Sequence, residues 1–133
     1  MMDRSANMRA IRSNDMRPEL AVRSLVHKLG YRYRLHGKDL PGKPDLVFTS
    51  RHKVIFVHGC FWHGHQGCSK SRRPSTNCEF WDRKLDETIA RDARNVEALI
   101  EAGWGVLVIW ECWTRDKSTV MQMLGTFINE SGK

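Results

Sequence analysis

The chain has 133 residues and a formal net charge of +7. That length is enough for one small domain with a buried core and too short for two, so we expect a single domain over residues 1–133. The sequence shows no secretion signal and no apolar run of membrane-spanning length, which argues against secreted disulfide-rich and membrane-spanning classes. We therefore expect a soluble cytoplasmic protein.

The positive charge is unevenly distributed. Residues 79–101 carry seven acidic and four basic side chains, a net charge of −3, so the other 110 residues carry +10. The excess lies in an N-terminal arm, in a predicted strand and beside a Cys/His-rich loop, at Arg4, Arg9, Arg12, Arg17, Arg32, Arg34, Lys70, Arg72 and Arg73. A concentrated basic surface is typical of nucleic-acid binding, but a generic solvated surface has the same composition, so charge alone does not decide.

The first half of the chain predicts an arm, a helix and three strands. Residues 1–15 are polar, basic and aperiodic, as expected of an arm that orders on a phosphate backbone. Pro18 and the apolar spacing from Val22 to Leu29 predict a helix that Gly30 ends. Alternating residues over 31–35 predict a half-buried strand, and two further strands are predicted over 45–48 and 54–57.

The second half predicts a helix, a strand and a helix. Thr76 and Glu79 match a T-x-x-E capping box, and the apolar residues that follow predict a long helix ended by Gly103, with a break near Asp82. The apolar run over 106–110 predicts a strand covered on both faces, and residues 120–128 predict a final helix. This order predicts an α/β fold with a mixed sheet flanked by helices.

Residues 58–68 combine two cysteines, three histidines and two large aromatic residues. Cys60, His65 and Cys68 have C-x4-H-x2-C spacing, which suits one tetrahedral zinc ion with a fourth ligand from elsewhere. Unused thiols and surface histidines are the alternative interpretation. The fourth ligand is either Cys112, which ends the last apolar strand, or Cys78 near the start of the long helix, and spacing favours Cys112 only slightly.

A zinc site with four protein ligands has no open position for a substrate, so any chemistry must lie beside it. Asp45 stands at the head of a strand and supplies the kind of oxygen ligand that Mg²⁺ prefers. His63 lies between two of the predicted zinc ligands, which hold its backbone and leave its imidazole free to act as a general base. A turn aspartate and a surface histidine are the alternatives for either residue alone.

Several short motifs together resemble those of the very-short-patch-repair mismatch endonucleases. They are Asn7–Ile11 (NMRAI), Leu40–Asp45 (LPGKPD), His58–His63 (HGCFWH), Glu79–Trp81 (EFW) and Trp110–Cys112 (WEC), and the resemblance extends from about Arg4 to Thr114. It implies a restriction-endonuclease-like core with a structural zinc site. It also implies a DNA-repair enzyme that nicks one strand 5′ of the thymine in a T:G mismatch, formed when 5-methylcytosine deaminates, and so starts very short patch repair.

The resemblance also assigns roles to individual residues. Asp45 corresponds to the catalytic aspartate, His63 to the general base, His58 to a second active-site histidine and Glu19 to an N-terminal acidic residue. The implied zinc ligands are Cys60, His65, Cys68 and Cys112, which selects Cys112 over Cys78. Val57 stands where the family has a threonine that contacts magnesium, and we expect the Val57 backbone carbonyl to make this contact.

The same resemblance implies how DNA is bound. Phe61, Trp62 and Trp81 form a wedge beside the mismatch, with core packing as the alternative for each ring. The residues expected to contact DNA through charge are Arg9, Lys70, Arg72 and Arg73. The expected cofactors are catalytic Mg²⁺ and structural Zn²⁺. The expected partner is double-stranded DNA with a T:G mismatch, bound by a monomer at the bacterial nucleoid, and mismatch-repair proteins are candidate further partners.

Two other classes of protein remain open at this point. The first is a sequence-specific restriction or nicking endonuclease of the same fold, for which every motif above would look the same. The second is a non-catalytic zinc-dependent DNA-binding module, which would need the basic residues and the zinc ligands but would have no use for Asp45.

Overall fold

The computed structural model describes residues 17–130, and within this range the elements follow the predicted order. They are α1 (Arg17–Lys28), β1 (Arg34–Leu35), β2 (Leu46–Phe48), β3 (Lys53–His58), α2 (Cys78–Glu101), β4 (Gly105–Trp110) and α3 (Lys117–Asn129). Short 3₁₀ helices occupy Thr49–Arg51, Ser69–Ser71 and Glu111–Arg115. The N-terminal arm, including Arg9, lies outside the described residues.

The strands form one mixed sheet in the order β1-β2-β3-β4. β2 pairs antiparallel with both β1 and β3, whereas β3 and β4 are parallel, with Val57 opposite Ile109. A parallel pair needs a long crossover connection, and α2 supplies it. The prediction of a mixed α/β sheet flanked by helices is confirmed.

Helices cover both faces of the sheet because the strand residues alternate between two core clusters. One cluster joins α1 and α3 to one face and consists of Val22, Leu25, Val26, Leu46, Phe48, Ile55, Ile109, Val120, Leu124 and Ile128. The other packs α2 on the opposite face and consists of Val47, Val54, Phe56 and Leu99. No helix within residues 17–130 is both long and apolar enough to cross a membrane.

One strand prediction is wrong and a second needs refinement. Residues 31–35 were expected to form one strand, but β1 contains only Arg34 and Leu35, while Tyr31 and Tyr33 pack against the first core cluster without pairing to β2. The alternation of apolar residues over 31–35 therefore indicated which side chains are buried but did not indicate pairing with β2. β4 packs on both faces as predicted, Leu107 and Ile109 against the first core cluster and Val106 and Val108 against the second. Only Ile109 is fully buried, because β4 is the last strand of the sheet in the described part of the chain.

The predicted start of the long helix is also wrong. α2 begins at Cys78 after Asn77, whose backbone is left-handed (φ 54°), and no side chain caps the helix, so Thr76 and Glu79 do not form a capping box. The helix continues through Asp82 without a break. Arg73 supports this first part of α2 from outside, because its guanidinium donates to Asp82 (3.0 Å) and to Asp86 (2.7 Å), one turn apart.

Candidate active site and metal-binding clusters

Asp45, His58 and His63 line one small cleft. Asp45 immediately precedes β2 and His58 ends β3, and these two points lie close together because β2 and β3 are antiparallel. His63 follows in the loop after β3. The cleft has a volume of about 170 Å³ and is also lined by Gly42, Lys43, Phe56, Val57 and Asp92. The structure thus brings together three of the predicted active-site residues.

Asp45 is held at the head of β2 by backbone hydrogen bonds. Its N–H donates to the Ile55 carbonyl (3.0 Å), and its Oδ2 accepts from the Val57 N–H (2.6 Å). Burial raises the pKa of Asp45 to about 6, the Val57 N–H opposes this shift, and the charge of Glu19 adds to it. A carboxylate whose pKa is raised by burial lacks a compensating positive charge, and a bound cation would supply one.

His63 pairs with a carboxylate that was not predicted. Its Nδ1 lies 2.5 Å from Oδ2 of Asp92, a residue of α2. Because a carboxylate accepts, Nδ1 carries the proton of a neutral His63 and Nε2 is left as the basic nitrogen. Nothing in the sequence distinguished Asp92 from the other six acidic residues of 79–101.

His58 lies against His63 as a neutral imidazole. The two rings stack with centroids 3.8 Å apart and planes 8° from parallel. Burial, and to a smaller extent the neighbouring His63, lowers the pKa of His58 to about 4, whereas Asp92 acts in the opposite direction. His58 is therefore suited to donate a neutral N–H hydrogen bond and not to supply a positive charge at neutral pH.

The four predicted zinc ligands form a second cluster. Their ligand atoms, from Cys60, His65, Cys68 and Cys112, all lie within 4.8 Å of one another. His65 Nδ1 is 3.6 Å from the Cys60 sulfur and 3.5 Å from the Cys112 sulfur. A tetrahedral zinc ion with Zn–S of about 2.3 Å and Zn–N of about 2.0 Å has S···N edges of about 3.5 Å. The donor atoms and their spacing therefore fit zinc.

The choice between Cys112 and Cys78 follows from the sheet. His58 is paired with Trp110 at the end of the parallel β3–β4 ladder, so Cys60 and Cys112 both come two residues after the paired positions. Cys78 lies elsewhere, exposed, with its thiol directed at the Pro74 and Ser75 carbonyls. The structure thus groups Cys112, and not Cys78, with the other three residues.

The thiols of the cluster sit in different environments. Burial raises the pKa of Cys60 to about 12, whereas the backbone N–H of Lys70 lowers the pKa of Cys68. The Trp110 ring stacks on His65, with centroids 4.3 Å apart. Both rings are half-buried, so the indole of Trp110 covers one face of the proposed metal ligand His65.

Glu19, in the first turn of α1, lies beside Asp45. It belongs to α1, is buried, and forms a third group of candidate ligands with His36 and Asp45, whose ligand atoms lie within 4.8 Å of one another. His36 had no predicted role, because only the pairing of β1 with β2 brings it beside Asp45.

The predicted wedge residues lie in an aromatic surface cluster with a fourth member, Phe80. Phe61, Trp62 and Trp81 contact one another at centroid distances of 5.2–5.8 Å, and Phe80 contacts Trp81 at 5.2 Å. Trp62 is 46% exposed and Phe80 is 57% exposed. Core packing therefore does not account for these two rings, and an exposed aromatic patch is typical of a binding surface. The sequence analysis assigned no role to Phe80, which it included only within the EFW motif.

The predicted phosphate-contacting residues differ in how free their charges are. Lys70 lies 3.5 Å from Glu111, and Arg73 binds both Asp82 and Asp86. Arg72 is exposed. Within residues 17–130, Arg72 has no ion pair, so its charge is the freest of the three for an external phosphate.

Comparison with known proteins agrees with the geometry of the cleft. The sequence model of the family described as DNA mismatch endonuclease Vsr matches residues 1–70, which include Asp45, His58 and His63. The DNA mismatch endonuclease Vsr of Escherichia coli (strain K12) is 43% identical over 114 residues, which are 86% of this chain and 72% of the relative. The chain belongs to the Vsr family.

Other relatives carry a different name. Type II nicking enzyme V.XorIIP of Xanthomonas oryzae pv. oryzae is 48% identical over 124 residues, covering 93% of this chain and 90% of the relative. Type II nicking enzyme V.NmeAIP of Neisseria meningitidis serogroup A is 38% identical over 127 residues, covering 96% and 90%. Membership of the Vsr family makes the chain a DNA endonuclease with DNA as its substrate, implies a divalent metal cofactor, and favours an enzyme over a non-catalytic binding module.

Proposed function

We propose that the enzyme nicks one strand of duplex DNA 5′ of the thymine in a T:G mismatch left by deamination of 5-methylcytosine, and so starts very short patch repair. One observation carries the proposal: Asp45 and the His63–Asp92 pair lie in one cleft. The exposed ring of Trp62 belongs to the residue directly before His63. We infer a restriction-endonuclease-like core in a single domain that acts as a monomer.

Asp45 and the Val57 backbone carbonyl would hold the catalytic Mg²⁺. Both offer hard oxygen ligands and both residues line the cleft, and the raised pKa of Asp45 marks a carboxylate that lacks a compensating charge. A backbone carbonyl serves with any side chain, so valine at position 57 does not remove this ligand. When bound, the ion supplies positive charge for the non-bridging and leaving oxygens of the scissile phosphate.

His63 would act as the general base. Asp92 holds Nδ1–H, so Nε2 takes a proton from a water molecule as the water oxygen bonds to phosphorus and the bond from phosphorus to the 3′ oxygen breaks. The developing imidazolium is stabilised by the Asp92 carboxylate. His58, kept neutral by burial, donates a hydrogen bond toward the phosphate oxygens.

The zinc cluster would position this base. Cys60, His65, Cys68 and Cys112 would hold Zn²⁺ and so tie the loop after β3 to the residues after β4. His63 lies between Cys60 and His65, so its backbone is fixed from both sides. This role is structural, because four protein ligands leave no open position on the ion.

The aromatic cluster would give the preference for a mismatch. A T:G pair stacks less stably than a Watson–Crick pair and costs less to open, so rings inserted beside it are favoured at that step. Trp62 and Phe80 are exposed enough to be inserted, and Phe61 and Trp81 support them by edge contacts. Lys70, Arg72, Arg73 and the arm with Arg9 would contact the phosphates.

A sequence-specific nicking enzyme is the second candidate, because two of the relatives above are named type II nicking enzymes. Such an enzyme would use the same cleft and the same general base, His63. The two candidates differ only in whether cleavage requires the mismatch.

The decisive experiment compares duplexes that differ at one base. Zinc-loaded protein and Mg²⁺ are added to T:G, T:A and C:G duplexes with a panel of flanking sequences, each strand labelled separately. We expect one nick, 5′ of the thymine, in T:G duplexes only. Equal nicking of a paired duplex would establish the sequence-specific candidate instead, and the panel also identifies the required flanks.

A further inference from the structure

Glu111 lies where the ends of the two parallel strands meet. It is the first residue after β4, and Gly59 is the first residue after β3. The last pair of the ladder joins His58 to Trp110, so the two chain segments that follow start side by side. A Cβ added at Gly59 would lie 3.8 Å from Glu111 Oε1. The Glu111 carboxylate therefore lies beside the turn that leads to His63.

One peptide group connects this carboxylate to the proposed general base. The Cys60 N–H donates to Glu111 Oε1 at 3.2 Å. The carbonyl of the same peptide group, that of Gly59, accepts from the backbone N–H of His63 at 3.2 Å. Hydrogen bonds in such a row polarise and strengthen one another, and a carboxylate is a stronger acceptor than a neutral group. The backbone of His63 is thus linked to Glu111 by two consecutive hydrogen bonds.

The rest of Glu111 is also held in place. Its Oε2 lies 3.5 Å from Lys70 Nζ, and about a third of each side chain is exposed. An ion pair so open to solvent contributes little stability by itself, but it leaves Oε1 free to accept from the Cys60 N–H. The Thr114 hydroxyl donates to the Glu111 carbonyl at 2.7 Å and so fixes the backbone. Both the backbone and the carboxylate of Glu111 therefore have a defined position.

We propose that Glu111 is a positioning residue for His63 and acts through the peptide group that lies between them. The inference rests on the proposed function, in which His63 is the general base. The zinc cluster would hold this loop through ligand side chains, whereas Glu111 holds a backbone group of the loop directly. A catalytic group displaced by about 1 Å can lose about 100-fold in rate, so such a contact matters for the reaction. The competing explanation is that Glu111 only supports the zinc site, because it directly precedes Cys112.

The test compares two substitutions of Glu111 in zinc-loaded protein. Glu111→Gln keeps an oxygen acceptor for the Cys60 N–H, whereas Glu111→Ala removes it. With saturating amounts of the duplex that the wild type nicks, Glu111→Ala should lower the single-turnover rate by about tenfold to 100-fold, and Glu111→Gln should restore most of it. The control is Glu101→Ala, which removes an exposed acid at the end of α2 and should leave the rate unchanged.

Two further quantities distinguish positioning from support of the zinc site. Zinc content should remain at one ion per chain in both variants. The DNA concentration for half-maximal rate should not increase in Glu111→Ala, because loss of this carboxylate frees Lys70 for a phosphate. Glu111→Leu, which keeps most of the side-chain volume, gives the same comparison if Glu111→Ala does not fold.

A measurement without DNA follows the hydrogen bonds themselves. In ¹⁵N-labelled protein, NMR reports the exchange of the backbone amide hydrogens of Cys60 and His63 with solvent. Both should exchange at least about tenfold faster in Glu111→Ala than in the wild type. Glu111→Gln should restore the protection, and Glu101→Ala should not change it.

The outcomes also separate this inference from the proposed function. Wild-type nicking or unchanged His63 amide exchange in Glu111→Ala, a rate loss that Glu111→Gln does not restore, or a loss of zinc in proportion to the loss of rate would each overturn the positioning role. A slower rate with full zinc content and rescue by Glu111→Gln supports it. If the wild type nicks no T:G duplex, the proposed function fails, and the amide exchange still decides whether Glu111 holds the backbone of His63.

Discussion

The imidazole rings of His58 and His63 are stacked 3.8 Å apart, with planes 8° from parallel. His63 is also held at its edge by Asp92, 2.5 Å from Nδ1. A ring fixed both at its face and at its edge has one orientation, so the proposed general base is in place before DNA binds. Since burial keeps His58 neutral, the stack does not place two positive charges together.

Asp92 is accordingly predicted to act by positioning His63. Asp92→Asn should lower the single-turnover nicking rate by about 100-fold or more, because an amide no longer selects the Nδ1–H form of the imidazole or stabilises the imidazolium. The DNA concentration for half-maximal rate should not change, since Asp92 is not a proposed DNA contact. Glu87→Gln, which alters an exposed acid of the same helix, is the control. Equal loss of rate and of DNA affinity would instead indicate a structural role.

The zinc assignment predicts opposite behaviour for two cysteines. Cys112→Ser should lose the metal and lower the melting temperature, because a structural zinc ion contributes directly to folding. Cys78→Ser should keep one zinc per chain, since the exposed Cys78 thiol lies outside the cluster. Metal content by atomic emission after gel filtration checks both variants. Zinc lost from Cys78→Ser and retained in Cys112→Ser would reverse the assignment.

The elements of the fold were predictable where periodicity was long. α1, β3, β4 and α3 agree with the spacing of their apolar residues, because one sheet buries both faces and each helix buries one stripe. The start of α2 was not predictable in this way. The T-x-x-E pattern suggested a cap at Thr76, but the chain enters the helix through the left-handed Asn77, and the Arg73 ion pairs support the first turns instead.

The residues of the candidate site were likewise predictable only where a local sequence pattern contains them. Cys60, His65 and Cys68 lie close in sequence, so their spacing alone suggested that they bind one metal ion. Asp92 and His36 come from distant segments and meet the site only through tertiary structure, Asp92 by the packing of α2 and His36 by the β1–β2 ladder. Single polar residues of this kind carry no local pattern, so no spacing rule could have selected them.

The basic residues near the zinc cluster should differ in their effect on salt dependence. Arg72→Ala should flatten the slope of log affinity against log salt by about 0.9, the value for one phosphate contact. Arg73→Ala should flatten it less, because Arg73 is already neutralised by Asp82 and Asp86. Filter-binding titrations at several salt concentrations measure both slopes. Equal flattening would mean that Arg73 exchanges its carboxylate partners for phosphate when DNA binds.

The exposed rings should contribute to mismatch preference. Trp62→Ala and Phe80→Ala should each weaken binding to a T:G duplex by about 1–3 kcal/mol and affect a paired duplex less, since stacking on an opened base step is lost. Ile100→Ala is the matched control, because Ile100 is as exposed as Phe80 (57%) but lies at the other end of α2. Competition gel shifts between T:G and T:A duplexes give the ratio. An unchanged ratio in both ring variants would exclude the wedge.

The last prediction separates chemistry from binding at Asp45. Asp45→Ala should abolish nicking and retain the zinc, the fold and T:G binding, because neither the aromatic cluster nor the zinc ligands include this carboxylate. Without Mg²⁺, affinity for DNA should rise slightly, since a carboxylate facing a phosphate costs of order 1 kcal/mol at a partly screened site. Asp39→Ala is the control, as Asp39 is an exposed carboxylate of the preceding loop that pairs only with Arg34 within residues 17–130. Single-turnover nicking beside a gel-shift titration in magnesium-free buffer gives both quantities. Wild-type nicking by Asp45→Ala would place the active site elsewhere, and parallel loss of binding would make Asp45 a structural residue.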